Sequence, residues 1–275
     1  MPGITIHGPL NESKRIYTGT IEFGPDEKYP VLFRPISQDQ VPIFQHIINQ
    51  QKQKPGKKRR IPWNFGILRD HKQLPHEIVL ITEYVKGQTL KDYYTESPLS
   101  NKQTTYLLIS LCKTLEELHE LLGIIHGDIK PENIVINYDK QEAYLIDLDF
   151  STITDQRNYS KSKGFSPPYA CIEQLQGMAG PKTDIRCLAL SLIEARLGHH
   201  PHEKIIGNIK DPVEAANILA QQYLAPHKQM SQTAKLLCKC THPEYEKRPS
   251  TEEILAKLEA ETQTDDIIFA TRSVV

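Results

Sequence analysis

Over the first ninety residues, apolar and polar positions alternate in short runs; beyond them, apolar residues recur at helical spacing. Arg15–Phe23 and Tyr29–Arg34 read as strands in a stretch rich in Gly, Pro and β-branched residues. Apolar residues at 41, 43, 44, 47 and 48 predict a helix over Val41–Gln53. Trp63–Arg69 and Glu77–Val85 predict two further strands, Trp63 and Phe65 falling in their core, and Gly87 closes this β-rich part. After Thr89, Lys102–Leu122 predicts a buried helix that ends at Gly123. Two short strands, Asn133–Ile136 and Ala143–Ile146, flank a polar turn, and a Gly/Ser/Pro-rich loop runs from Thr154 to Pro168. Further helices are expected over 183–197, 212–224, 231–240 and 250–261. The pattern predicts an α+β chain: a small β lobe over 1–85, a larger helical lobe over 86–262 and a tail over 263–275.

Composition narrows the function classes. The 275 residues carry 33 Lys+Arg against 34 Asp+Glu, a formal net charge of −1. Such balance argues against coating nucleic acid by bulk electrostatics, and no sequence-specific nucleic-acid partner is expected. One local exception is the run Lys52–Arg60, which holds six basic residues around Pro55-Gly56. It reads as a solvated loop, with a polyanion or acidic partner as the sharper alternative. No apolar run approaches the ~20 residues that cross a bilayer, and the N-terminus lacks the basic start and apolar stretch of a secretory leader. Five scattered cysteines (Cys112, Cys171, Cys187, Cys238, Cys240) point to a reducing compartment, so the expected location is the cytoplasm.

The sharpest chemistry is His126-Gly-Asp-Ile-Lys-Pro-Glu-Asn133, with Asp147 fourteen residues past Asn133 in Ala143-Tyr-Leu-Ile-Asp-Leu-Asp-Phe-Ser151. A loop after a buried helix presents an Asp, a Lys and an Asn, and a hairpin returns a second Asp beside that Asn. Carboxylate and amide oxygens are hard ligands suited to Mg2+. A separate Asp can orient a hydroxyl nucleophile, while a Lys offsets the charge of a phosphoryl group.

These segments resemble the catalytic loop and metal-binding hairpin of eukaryotic-type protein kinases. Leu118–His126 looks like the helix leading into that loop, and Gly164–Glu173 like the end of an activation segment, with Cys171-Ile172-Glu173 where Ala-Pro-Glu is usual. Asp184–Ala189 matches the start of the buried helix that follows, and Arg248 the late arginine that pairs with Glu173. Leu80–Gly87 looks like the hinge between lobes. The resemblance implies a bilobal fold, with ATP and Mg2+ (or Mn2+) in the cleft and phosphoryl transfer to Ser or Thr of a protein substrate. It implies Asp128 as the group accepting or orienting the substrate proton and Lys130 as the stabiliser of the phosphoryl group. Asn133 and Asp147 become the metal ligands, with Asp149 close enough to assist or, in a second register, itself the ligand. On the nucleotide side it implies Leu32, Arg34, the gatekeeper Thr82, the backbone of Glu83 and Val85, and Asn133.

Several positions depart from the family pattern. No Gly-x-Gly-x-x-Gly is present, arginine stands at Arg34 where the family has lysine, and Val41–Gln53 contains no acidic residue to pair with it. Gln45 or Gln50 is left to hydrogen-bond Arg34. Gly127 replaces the arginine before the catalytic Asp, which implies activity independent of loop phosphorylation. Ser160, Ser162 and Ser166 read as solvated loop polarity, with modification the sharper alternative. His126, Asp184 and the Glu173–Arg248 pair read as architecture. Two other functions stay open: a pseudokinase scaffold, suggested by the degenerate small lobe, and a small-molecule phosphotransferase of the aminoglycoside-kinase kind, suggested by His-Gly-Asp with Ile-Asp. A lobe trimmed this far also resembles kinases such as some secreted bacterial effectors that act in a host cytosol.

Overall fold

The computed structural model describes residues 2–11, 13, 15–53, 60–74, 78–154, 160–198, 231–258 and 269. The helix expected over 212–224, positions 54–59 of the basic run and all of the 263–275 tail except Phe269 lie outside the described residues. The chain divides into two compact units, Met1–Lys86 and Gly87–Val275.

The first unit is a five-stranded antiparallel sheet with spatial order β1-β2-β3-β5-β4. The strands are β1 (Gly3–Asn11), β2 (Ile16–Gly24), β3 (Glu27–Pro35), β4 (Asn64–Arg69) and β5 (Ile78–Glu83). The alternation of hydrophobicity found β2 and β3. It missed β1, whose residues are half-buried or exposed and whose register against β2 slips twice. With few inward apolar positions, such an edge strand leaves little periodic signal. Successive residues of β3 point to opposite faces: Val31 and Phe33 are fully buried in a cluster with Ile21, Leu74, Val79 and Ile81. Leu32 and Arg34 therefore share the other face, opposite Thr82 and Leu80 of β5.

Between β3 and β4 lies α1 (Val41–Gln53), which buries Ile43, Phe44, Ile47, Ile48 and Gln51. Gln51 pins the helix to the sheet: its Nε2 donates to the Pro62 carbonyl (3.1 Å) and its Oε1 accepts from the Asn64 amide (2.9 Å). Trp63 and Phe65, expected as core, are only half-buried. They join Phe23 and Tyr29 in a partly exposed aromatic cluster with ring centroids 5.7–6.5 Å apart.

The second unit is mainly helical. Among the described residues its α-helices are α2 (Leu90–Glu96), α3 (Asn101–Glu116), α4 (Ile172–Leu175), α5 (Pro181–Leu197), α6 (Gln232–Cys240) and α7 (Thr251–Leu258). Short strands complete it: β6 (Gln88–Thr89), β8 (Ile134–Asn137) and β9 (Glu142–Leu145) form one sheet, while β7 (Ile124–Ile125) pairs with β10 (Thr152–Ile153) and β11 (Ser160–Lys161) with β12 (Met178–Ala179). At the start of α3, Ser100 Oγ accepts from Gln103 N–H and Gln103 Oε1 from Ser100 N–H, a capping box. The helix expected to run to Leu122 changes at Glu117 into a π-helical turn over Glu117–Leu121 before Gly123 (φ 64°) ends it. Residues Thr183–Ala195 of α5 are all buried, so no polar face marks it in the sequence.

A buried ion pair ties α4 to the approach of α7. Arg248 grips Glu173 with two hydrogen bonds (2.6 and 3.1 Å) and also donates to the carbonyls of Lys182, His242 and Pro243. Burial raises the Glu173 carboxyl's pKa, but the Arg248 guanidinium and the Thr183 hydroxyl outweigh burial and hold it below the usual carboxylate range. Glu173→Ala would leave the Arg248 charge buried and uncompensated, so it is expected to lower stability by about 3–5 kcal/mol, measured by urea denaturation. Because the native pKa is lowered, the pair's contribution is complete above about pH 4.3 and is lost as pH falls below it. Acid titration of wild type against Glu173→Gln checks that slope.

Candidate active site

The loop 126–133 is held from below by one carboxylate. Asp184, in the first turn of α5 and fully buried, accepts from His126 N–H (2.8 Å) and Gly127 N–H (2.9 Å), and its Oδ2 lies 2.8 Å from His119 Nε2. His126 braces the loop. Its Nδ1 accepts from Asp128 N–H (3.3 Å), which assigns the proton to Nε2, and Nε2 donates to the Ile146 carbonyl (3.1 Å). Ser151 Oγ and Gln174 Nε2 close the remaining backbone acceptors, at the His126 and Gly127 carbonyls. Gly127 has φ 79°, and a Cβ there would meet the Phe150 carbonyl oxygen at 3.0 Å. A side chain at position 127 would therefore carry both a left-handed backbone and a tight contact.

The loop's side chains converge on Asp128, which is 4% exposed. Lys130 Nζ donates to Asp128 Oδ2 (2.8 Å) and to Ser166 Oγ (2.9 Å), while Ser166 N–H donates to Asp128 Oδ1 (2.9 Å). Asn133 Nδ2 donates to the Asp128 carbonyl (2.9 Å), leaving its Oδ1 as the atom able to take a cation. Ile146 N–H donates to the Asn133 carbonyl (2.9 Å), extending the β8–β9 pairing by one residue, and Asp147 is the residue after Ile146. Asp147 is exposed and left-handed at φ 65°, Leu148 is buried, and Asp149 is half-buried in the turn that follows. An amide oxygen and a carboxylate make a hard, sparse donor set, whose chemistry fits a cation that keeps most of its ligands as water and phosphate.

In the first unit, Leu32, Arg34 and Thr82 share one face of the sheet. Arg34 does not face a carboxylate on α1: its guanidinium carbon lies 5.2 Å from the Phe44 ring centroid, a cation–π contact. Gln45, one of the two glutamines expected to meet Arg34, donates to Asn49. The Glu83 amide is committed to the Trp63 carbonyl (2.7 Å), which leaves Glu83 its carbonyl to offer, and Val85 follows the end of β5 half-buried. The β1–β2 turn, Asn11–Ile16, contains no glycine, and Arg15 takes the left-handed φ of 53° instead.

A family profile described as protein kinase domain matches residues 65–258, more than two thirds of the chain. The chain belongs to the protein kinase family. Members use ATP and a divalent cation on protein substrates in general terms. Among curated proteins, the kinase is 30% identical over 133 residues to the probable serine/threonine-protein kinase fnkB of Dictyostelium discoideum, covering 44% of this chain and 24% of that protein. It is 25% identical over 236 residues to the serine/threonine-protein kinase CST20 of Candida albicans (84% and 18%). It is also 28% identical over 156 residues to the SNF1-like protein kinase ssp2 of Schizosaccharomyces pombe (55% and 27%). The kinase thus spans less than a third of each of these relatives. Among the described residues, no helix is long and apolar enough to cross a membrane.

Sequence reasoning undervalued Ser166. The expectation of solvated loop polarity gives way to a serine whose backbone and hydroxyl bond both Asp128 and Lys130 of the kinase. Ser151 and Gln174 were missed outright, because a side chain that bonds a backbone carbonyl far away in sequence leaves no periodic or spacing signal. Gly127→Ala is expected to cost the kinase about 1–2 kcal/mol through the left-handed φ, read as a lowered midpoint in chemical denaturation.

Proposed function

We propose that this kinase transfers the γ-phosphoryl group of ATP to serine or threonine hydroxyls of a protein substrate, with Mg2+ as the metal and Mn2+ able to replace it. One observation carries the reading: both oxygens of the Asp128 carboxylate are oriented, one by Ser166 N–H and the other by Lys130 Nζ, in a loop whose Asn133 bonds the same residue. Asp128 would accept or orient the substrate hydroxyl's proton. Lys130, already within 2.8 Å of Asp128, would offset negative charge on the group in transfer. Asn133 Oδ1 and the Asp147 carboxylate would hold the cation. ATP and the metal supply the transferred group and the neutralisation of its charge. The nucleotide contacts proposed in the first unit are Leu32, Arg34, Thr82 and the backbone of Glu83 and Val85; Arg34, always charged and forked, suits phosphate.

The support for Asp147 over Asp149 is local. Asp147 follows the residue bonded to Asn133 and is exposed, whereas Asp149 lies two residues on, past the buried Leu148. A lysine two residues after Asp128 supports serine/threonine rather than tyrosine specificity, as do the names of the relatives. A second reading, a scaffold without transfer activity, draws on the glycine-free β1–β2 turn and on Arg34 facing Phe44.

Incubation with ATP, Mg2+ and a general protein substrate separates the two. Wild type is expected to incorporate phosphate, and Asp128→Asn to lower incorporation by about a hundredfold or more. Asp147→Asn should match that loss, and Asp149→Asn should be nearly silent. Equal incorporation by all four proteins would overturn the assignment. Absence of any ATP/Mg2+-dependent thermal shift would favour the scaffold.

A further inference from the structure

In the second unit, Phe269 is separated by ten residues from the end of α7, yet it is only 1% exposed. Its ring stands edge-on to Tyr93 of α2 (centroids 5.7 Å apart, planes at 87°) and to Tyr106 of α3 (5.8 Å, 70°). Its backbone is gripped as well. Gln141 Oε1 accepts from Phe269 N–H (2.9 Å), and Gln141 Nε2 donates to the Phe269 carbonyl (2.7 Å). One side chain thus satisfies both polar groups of the residue, as a neighbouring strand would.

The receptor side of this contact has hydrogen bonds of its own. Gln141 is the last residue of the β8–β9 turn and sits at a left-handed φ of 51°, a conformation uncommon for a side chain of its size. Its amide N–H and its Nε2 both donate to the Tyr138 carbonyl, and its own carbonyl accepts from the Tyr106 hydroxyl. Behind the slot, Tyr138 packs on Tyr93 with centroids 6.3 Å apart, and its hydroxyl bonds Gln88. Aromatic walls select an aromatic ring, and a fixed amide reads the backbone whatever the neighbouring residues are. These are the two ingredients of short-peptide recognition.

We propose that the slot formed by Tyr93, Tyr106 and Gln141 is a peptide-docking site whose resident ligand is the chain's own tail, seated through Phe269. Docking clamps the turn of the β8–β9 hairpin to α2 and α3. The class of ligand is an extended peptide that presents a phenylalanine. The proposal does not rest on phosphoryl transfer.

The test uses the full chain and a labelled peptide of residues 265–275, followed by fluorescence anisotropy. Phe269→Ala empties the slot and should bind the peptide at least tenfold more tightly than wild type, whose own Phe269 excludes it. A peptide carrying alanine at the phenylalanine position should bind neither protein. Hydrogen exchange of amides 138–142 should be at least tenfold faster in Phe269→Ala and slow again on adding the peptide. Equal peptide binding by wild type and Phe269→Ala, or exchange unchanged by the substitution, would overturn the proposal. Should Phe269→Ala fail to fold, Phe269→Leu keeps an apolar occupant that the peptide should displace, and Gln141→Ala in that background should weaken the peptide at least tenfold. Indifference of Phe269→Leu to the peptide would equally overturn it.

Discussion

The carboxylate of Asp184 is the contact on which the shape of the 126–133 loop depends. A buried carboxylate without partners is costly enough that a protein keeps one only where donors surround it. Here the donors are the amides of His126 and Gly127, with His119 at the same oxygen as His126. Its place in the first turn of α5 adds the favourable end of the helix dipole. Because α5 is buried along nearly its whole length, the carboxylate has no freedom to follow a moving loop. The loop takes its shape from the helix, and Gly127 adopts the left-handed backbone that this shape demands.

From that fixed point the geometry passes outward through backbone groups. His126 links the loop to Ile146, Ile146 links back to Asn133, and Asn133 reaches the Asp128 carbonyl. Two antiparallel pairings, β7 with β10 and β8 with β9, bracket the circuit. The Glu173–Arg248 pair holds the segment that delivers Gln174 to the Gly127 carbonyl. Preorganisation of this kind is what proton and phosphoryl chemistry requires, since groups fixed beforehand need not be ordered during reaction.

The first unit solves a different problem with different residues. Arginine at position 34 cannot lose its charge, and α1 offers no carboxylate, so the guanidinium meets the face of Phe44. Both facts, the arginine and the acid-free helix, were legible in the sequence; the partner was not. Gln45 was a reasonable candidate by chemistry, but it is occupied by Asn49, its neighbour one helical turn on. Tertiary packing brings Phe44 under the strand, and no rule of spacing within α1 or β3 predicts that meeting.

The sequence by itself determined the α+β order of elements, the helical span of α1, the pair of short strands around 138–141 and the catalytic-loop motif with its family. Each of these is a local pattern, a period of two or of 3.6 or a run of residues with fixed spacing, and local patterns survive without coordinates. Only the tertiary structure decided that Ser166 bonds Asp128 and Lys130, that Asp147 is the exposed left-handed residue while Leu148 turns inward, and that Phe269 returns to the hairpin turn. Those contacts join positions as many as 128 residues apart through a single hydrogen bond or ring contact. A serine that binds Asp128 reads the same, letter by letter, as one that faces water; the difference lies in what the fold brings to it.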